Sequence, residues 1–111
     1  MKIKQQDYNN VTVVELHGEF VEEYSKMFED NINELLSKGK AGIVIDVSKM
    51  PFIDSRGLEG LLWLKDACHK KRCQLKITGL DQNFSKILEI TRLDKAFDKY
   101  AELSEAVKSF T

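Results

Sequence analysis

At 111 residues the chain has the usual size of one domain and leaves no room for a second core of comparable size. With 42% hydrophobic and 32% charged residues it has the balance of a water-soluble globule, which excludes a disordered or fibrous chain. Seventeen Lys and Arg against eighteen Asp and Glu leave a formal charge of −1, so no overall field draws it to polyanions, and direct nucleic-acid binding would need a local basic patch.

The one basic run, residues 69–72, falls at a helix end. No apolar stretch approaches the roughly 20 residues needed to cross a bilayer, and the start MKIKQQDYNN lacks the apolar segment of a secretion signal. A cytoplasmic location without membrane insertion is therefore expected. Cys68 and Cys73 are too few for a disulfide framework, and no second pair completes a four-thiolate zinc site, so they are read as reduced, small apolar residues.

Residues 11–16, V-T-V-V-E-L, are rich in β-branched side chains between Asn9-Asn10 and Gly18 and predict a strand. Residues 2–7 are expected to pair with it through a tight hairpin, because Asn tolerates positive φ, which makes the first two strands antiparallel. Between residues 21 and 37, Tyr24, Phe28, Ile32, Leu35 and Leu36 recur at spacings of three and four and predict a helix stopped by Gly39. Residues 41–47, A-G-I-V-I-D-V, are short and almost wholly apolar, as expected of a central strand covered on both sides.

After a helix reaching about residue 71, residues 74–78 alternate polar and apolar and predict a strand. Phe84, Ile87 and Leu88 then indicate a short helix. Ala101, Leu103, Ala106, Val107 and Phe110 fit a terminal amphipathic helix that docks on the body. The alternation implies a single α/β domain over residues 1–111: a mostly parallel, mixed sheet with right-handed crossovers, an N-terminal antiparallel hairpin and about four helices. Sites in such sheets lie beyond the carboxyl ends of the strands, where residues 50–57 form a loop.

That loop, M-P-F-I-D-S-R-G, has a derivable end. Asp54 is placed as the N-cap of the next helix, its carboxylate accepting from the N–H of Arg56 or Gly57, with Ile53 and Leu58 at the two positions of a hydrophobic staple. Ser55 becomes the first helical residue, beside unpaired N–H groups and the positive end of the helix dipole. A phosphate there adds about −1.5 to −2 charge and three acceptor oxygens at a surface, altering what can dock rather than unfolding the body.

Projected at 100° per residue, Leu58, Leu61, Leu64 and Cys68 form the core stripe of this helix, with Leu62 at its edge. Arg56, Glu59, Gly60 and Trp63 share the outer face beside Ser55 and form a candidate partner contact, with the alternative that Trp63 lies under the terminal helix. Asp46 and Ser48, near the end of the preceding strand, are expected as surface and turn residues.

Taken in order, VELHGEF, GIVIDVSKMPFIDSRGLEGLLWL, LKITGL and ILEITRLDKAF resemble STAS domains, specifically the bacterial anti-sigma factor antagonists, over nearly the whole chain. The most specific block is DSRG after a strand of the I-V-I-D-V type. The resemblance implies a partner-switching module. Unphosphorylated, it binds an anti-sigma factor that is commonly an ATP-dependent serine kinase. Phosphorylation of the Ser after the motif's Asp, here Ser55, prevents binding, and a separate phosphatase resets the switch. ATP belongs to the kinase, so no cofactor is expected. The implied partner surface comprises Val21, Asp54, Ser55, Arg56, Gly57, Glu59, Gly60 and Trp63.

The chain departs from the family pattern at three positions: Val21 where the family usually has Asp, Arg56 where a second Ser is commonest, and Arg92 where a Gly is usual. Arg56 is a candidate partner for a phosphate, and Arg92 carries a local penalty if the backbone there has positive φ. Val21 keeps open the alternative of a STAS scaffold or accessory subunit in a stressosome-like or transport complex. An enzyme is not expected: no G-x-S-x-G surrounds Ser55, and neither G-x-x-x-x-G-K-[ST] nor G-x-G-x-x-G occurs.

Overall fold

The computed structural model describes residues 1–110. Its sheet grows outward from β3 (Gly42–Asp46), whose five residues are all buried, as suits a strand with no solvated face. β2 (Val11–His17) and β4 (Gln74–Thr78) flank it in parallel. β1 (Lys2–Tyr8) pairs antiparallel with β2 across a turn in which Asn9 has φ 58°, and β5 (Asp98–Tyr100) lies parallel to β4 at the other edge. Each strand thus neighbours its successor, and the register aligns Val14 with Ile45 and Ile45 with Ile77.

Period-two alternation sends these side chains to two unequal cores. Val14, Leu16, Ile43, Ile45 and Ile77 face the larger one, with Phe28, Ile32 and Leu35 from α1 (Ser25–Ser37), Leu61 and Leu64 from α2 (Ser55–Lys70), and Phe84 and Leu88 from α3 (Gln82–Ile90). Fully burying such a side chain contributes about 1.5–3 kcal/mol, so this layer dominates stability. On the opposite face Val11, Val13 and Val44 meet Ala106 of the short α4 (Leu103–Lys108). Lys76 is buried beneath that helix. Its ammonium donates to the Ser109 hydroxyl and lies 4.1 Å from the centre of the Phe110 ring.

The structure departs from expectation in several places. The segment from residue 21 does not start an α-helix: Val21 is extended, Glu22–Tyr24 form a single 3₁₀ turn, and α1 begins at Ser25. Neither the 3₁₀ turn nor α1 has a side-chain cap. β3 is shorter than residues 41–47, and α4 starts at Leu103 rather than Ala101. β5 was not anticipated, because Asp98-Lys99-Tyr100 shows no apolar alternation and is ordered by pairing with residues 76–78. Asp46 is buried rather than exposed, its Oδ1 accepting the Ser48 N–H at 3.0 Å, while Ser48 lies in the turn as expected.

Candidate functional site

The site is built around the first turn of α2. Asp54 is extended and its Oδ1 accepts the Gly57 N–H at 2.8 Å, which makes it the N-cap. Ser55 is therefore the first helical residue, and it is exposed. Arg56 and Glu59, also exposed, form an ion pair with Nη1 3.5 Å from Oε2, an (i, i+3) contact that holds the guanidinium over the helix surface only loosely.

A second segment is laced to this turn. Phe20 N–H donates to the Phe52 carbonyl at 3.0 Å, Asp54 N–H donates to the Phe20 carbonyl at 3.2 Å, and Phe20 and Ile53 form a parallel bridge. These bonds hold Val21, one residue further on, beside the loop that ends at Ser55. The close approach explains Gly57, since a β-carbon there would run into the Phe20 carbonyl oxygen and the Ile53 side chain. At Gly60 a β-carbon would stand 2.8 Å from Phe20 Cζ. The two glycines let α2 sit directly on the Phe20 segment.

Phe20 continues into an aromatic column. Its ring centre is 4.8 Å from that of Phe28, and Phe28 meets Trp63 edge-on at 6.4 Å. Trp63 is thus half-buried against α1, which corrects both the outward placement and the alternative that put it under the terminal helix. Gly60, expected on the outer face, is buried. Between the 3₁₀ turn, α1 and α2 runs a groove of about 580 Å³. Trp63 and Gly60 line it together with Arg56 and the carboxylates of Glu22, Glu23, Glu29 and Glu59. On the other side of the loop Phe52 is 53% exposed next to a smaller, mainly apolar hollow of about 230 Å³ against α3.

Of the residues picked out from the sequence, Val21, Asp54, Ser55 and Arg56 meet at one end of the molecule, and Glu59 and Trp63 continue along the groove. Gly57 and Gly60 belong to the packing beneath. Sequence reasoning missed Phe20, Phe52 and the acidic wall from Glu22 to Glu29. The available signals were an aromatic residue just after Gly18-Glu19 and an apolar residue in a loop with no strand or helix period to bury it. Among the described residues no group of three or more His, Cys, Asp or Glu is placed to hold a metal ion, and no helix is long and apolar enough to cross a membrane.

Comparison with known proteins places this fold in a family. The solved structure of an anti-sigma factor antagonist from Mycobacterium paratuberculosis superimposes with a TM-score of 0.85 at 24% identity, covering 97% of this chain and 92% of that one. The phosphorylated form of the Bacillus cell fate determinant SpoIIAA gives 0.77 at 15% identity, covering 99% and 100%. A sulfate transporter family protein from Wolinella succinogenes gives 0.81 at 15% identity, covering 92% and 85%. At these identities the likeness is one of fold. Among curated proteins, no relative matches. The family model of the STAS domain matches residues 2–107, nearly the whole described chain, and the chain therefore belongs to the STAS domain family.

Proposed function

We propose that this STAS domain is an anti-sigma factor antagonist: it binds an anti-sigma factor that is also a serine kinase, is released when that kinase phosphorylates Ser55, and is restored by a phosphatase. The observation that carries the reading is the exposed Ser55 at the first position of a helix capped by Asp54. A dianion there meets free N–H groups and the positive end of the helix dipole, so the body tolerates it while the surface changes. A structural neighbour, SpoIIAA, occurs in a phosphorylated form, which supports a fold compatible with such a charge.

The docking surface on this reading joins Val21, Ser55 and Arg56 to the groove past Glu59 and Trp63. Carboxylates dominate its wall, so the partner presents basic or neutral groups there. A phosphate does not repel such a partner by charge. It blocks binding by filling the contact at Ser55 and by the desolvation it would suffer under a closed interface. The chain performs no catalysis of its own, takes no cofactor and works in the cytoplasm.

Incubating the protein with ATP and each anti-sigma serine kinase of the same cell tests this. The expected result is one phosphate on Ser55 by mass spectrometry, none on Ser55→Ala, and kinase affinity reduced at least tenfold in Ser55→Asp, about 1.4 kcal/mol. No phosphate together with undiminished binding by Ser55→Asp would overturn the switch and favour a constitutive scaffold or transporter accessory.

A further inference from the structure

Helices α2 and α3 end in the same way. In each, an arginine takes a left-handed conformation just past the helix, Arg72 with φ 56° and Arg92 with φ 61°. The following residue then donates its N–H five positions back, Cys73 to the Cys68 carbonyl at 2.9 Å and Leu93 to the Leu88 carbonyl at 2.7 Å. The arginine N–H groups close the inner bond, Arg72 to His69 and Arg92 to Glu89. This is the Schellman arrangement, which turns the side chains at the two ends of the six-residue bond toward each other. In α3 those side chains are an inert leucine pair. In α2 they are two thiols.

Both cysteines are buried and unbridged, Cys68 1% and Cys73 6% exposed. The Cys68 thiol is in hydrogen-bonding contact with the Cys73 sulfur, whose own S–H points to the Gln74 carbonyl 3.8 Å away. Accepting that bond holds Cys73 below the ordinary thiol range, while the same contact, together with burial, pushes Cys68 up. A hollow of about 220 Å³ opens onto the pair, walled by Lys65, His69, Phe97 and Asp98. That is several times the roughly 30 Å³ share of one water molecule, so a small oxidant fits.

We propose that Cys68 and Cys73 are a reversible oxidation site that hydroperoxides convert to an intramolecular disulfide. The Cys73 thiolate attacks the outer peroxide oxygen, the O–O bond breaks, and an alcohol leaves with a proton from solvent, or water when the oxidant is hydrogen peroxide. Cys73 is then a sulfenic acid. The Cys68 sulfur attacks it, the S–O bond breaks, and the departing hydroxide takes the Cys68 proton as water. Two electrons pass from the dithiol to the peroxide, and a dithiol reductant reverses the change. The pair sits at the opposite end of α2 from Ser55 and does not depend on the function proposed for that residue.

Stepwise titration of the reduced full-length protein with hydrogen peroxide tests the site. Both thiols should vanish together in a denaturing thiol assay, the intact mass should fall by two hydrogen atoms, and the chain should stay monomeric on a non-reducing gel. Trypsin cleaves after Lys70, Lys71 and Arg72, so the bridge should appear as two peptides joined through Cys68 and Cys73, with dithiothreitol restoring both thiols. Cys68→Ser should leave a sulfenic acid at Cys73 that dimedone traps, and Cys73→Ser should leave a thiol reacting at least about tenfold more slowly. Thiols lost singly with a gain of oxygen mass, bridges only between chains, or two thiols inert to peroxide in the folded protein would each overturn the proposal. The wild-type mass and peptide map decide the matter even if a serine variant fails to fold.

Discussion

The carbonyl oxygen of Phe20 occupies the space that a β-carbon on residue 57 would need. The obstacle is backbone, itself fixed by its bond from the Asp54 N–H, so it cannot swing aside. Gly57→Ala should therefore lose about 1–3 kcal/mol, the usual penalty of overpacking. Gly60→Ala meets only the edge of the Phe20 ring, which can tilt, and should lose less. Urea denaturation of the two variants, with unchanged m-values, checks the order. Equal losses would mean that the Phe20 segment yields as easily as its ring.

Removing the cap is a separate experiment on the same turn. Asp54→Ala strands the Gly57 N–H that the carboxylate now accepts, and should cost about 1 kcal/mol, within the 0.5–2 kcal/mol range of such caps. Asp54→Asn should retain most of that stability. The melting temperatures of the three proteins give the comparison, and a loss as large in Asn as in Ala would show that charge rather than capping matters.

Arg72 and Arg92 hold left-handed backbones that a β-carbon disfavours. Arg92→Gly should stabilise the protein by up to about 1 kcal/mol, the relief of the left-handed strain exceeding the extra entropy of the unfolded chain. Arg72→Gly should behave alike. Thermal unfolding measures both, and a fall in melting temperature would show that the arginine side chains hold contacts worth more than the strain.

The β1–β2 hairpin carries a pH dependence. The Thr12 hydroxyl donates to Asp7 Oδ1 at 2.7 Å, and this bond, with Lys40 3.7 Å away, outweighs desolvation and holds the Asp7 carboxyl below its ordinary 3.8. A carboxylate whose folded pKa is depressed contributes stability above its unfolded value, and that contribution disappears as pH falls through the folded value. Thr12→Val should move the Asp7 titration back up toward 3.8 and flatten the acid side of the stability curve. Side-chain carboxyl NMR shifts across that range check it, and an unmoved titration would assign the depression to Lys40 instead.

Much of this was readable before any coordinates. Val11, Val13 and Val14 announced a strand by branching at Cβ, the run through Ile43, Val44 and Ile45 announced a covered one, and Asp54 announced where α2 starts, because these signals are local. Arg92 read as a position that is strained if its φ is positive, and its φ of 61° meets that condition. What stayed hidden depended on distant partners. β5 exists because β4 is there to pair with it. Trp63 turned inward because Phe28, 35 positions earlier in the chain, offers it a ring edge, and a helical projection carries no information about a neighbouring helix.

The bridge between Phe20 and Ile53 has one further consequence. Residue 21 follows directly on a stretch that two hydrogen bonds rivet to the loop ending at Ser55, so the two form a single ribbon. On the function proposed above, recognition can thus be rewritten at position 21 while Ser55, its cap and the helix behind it are left intact.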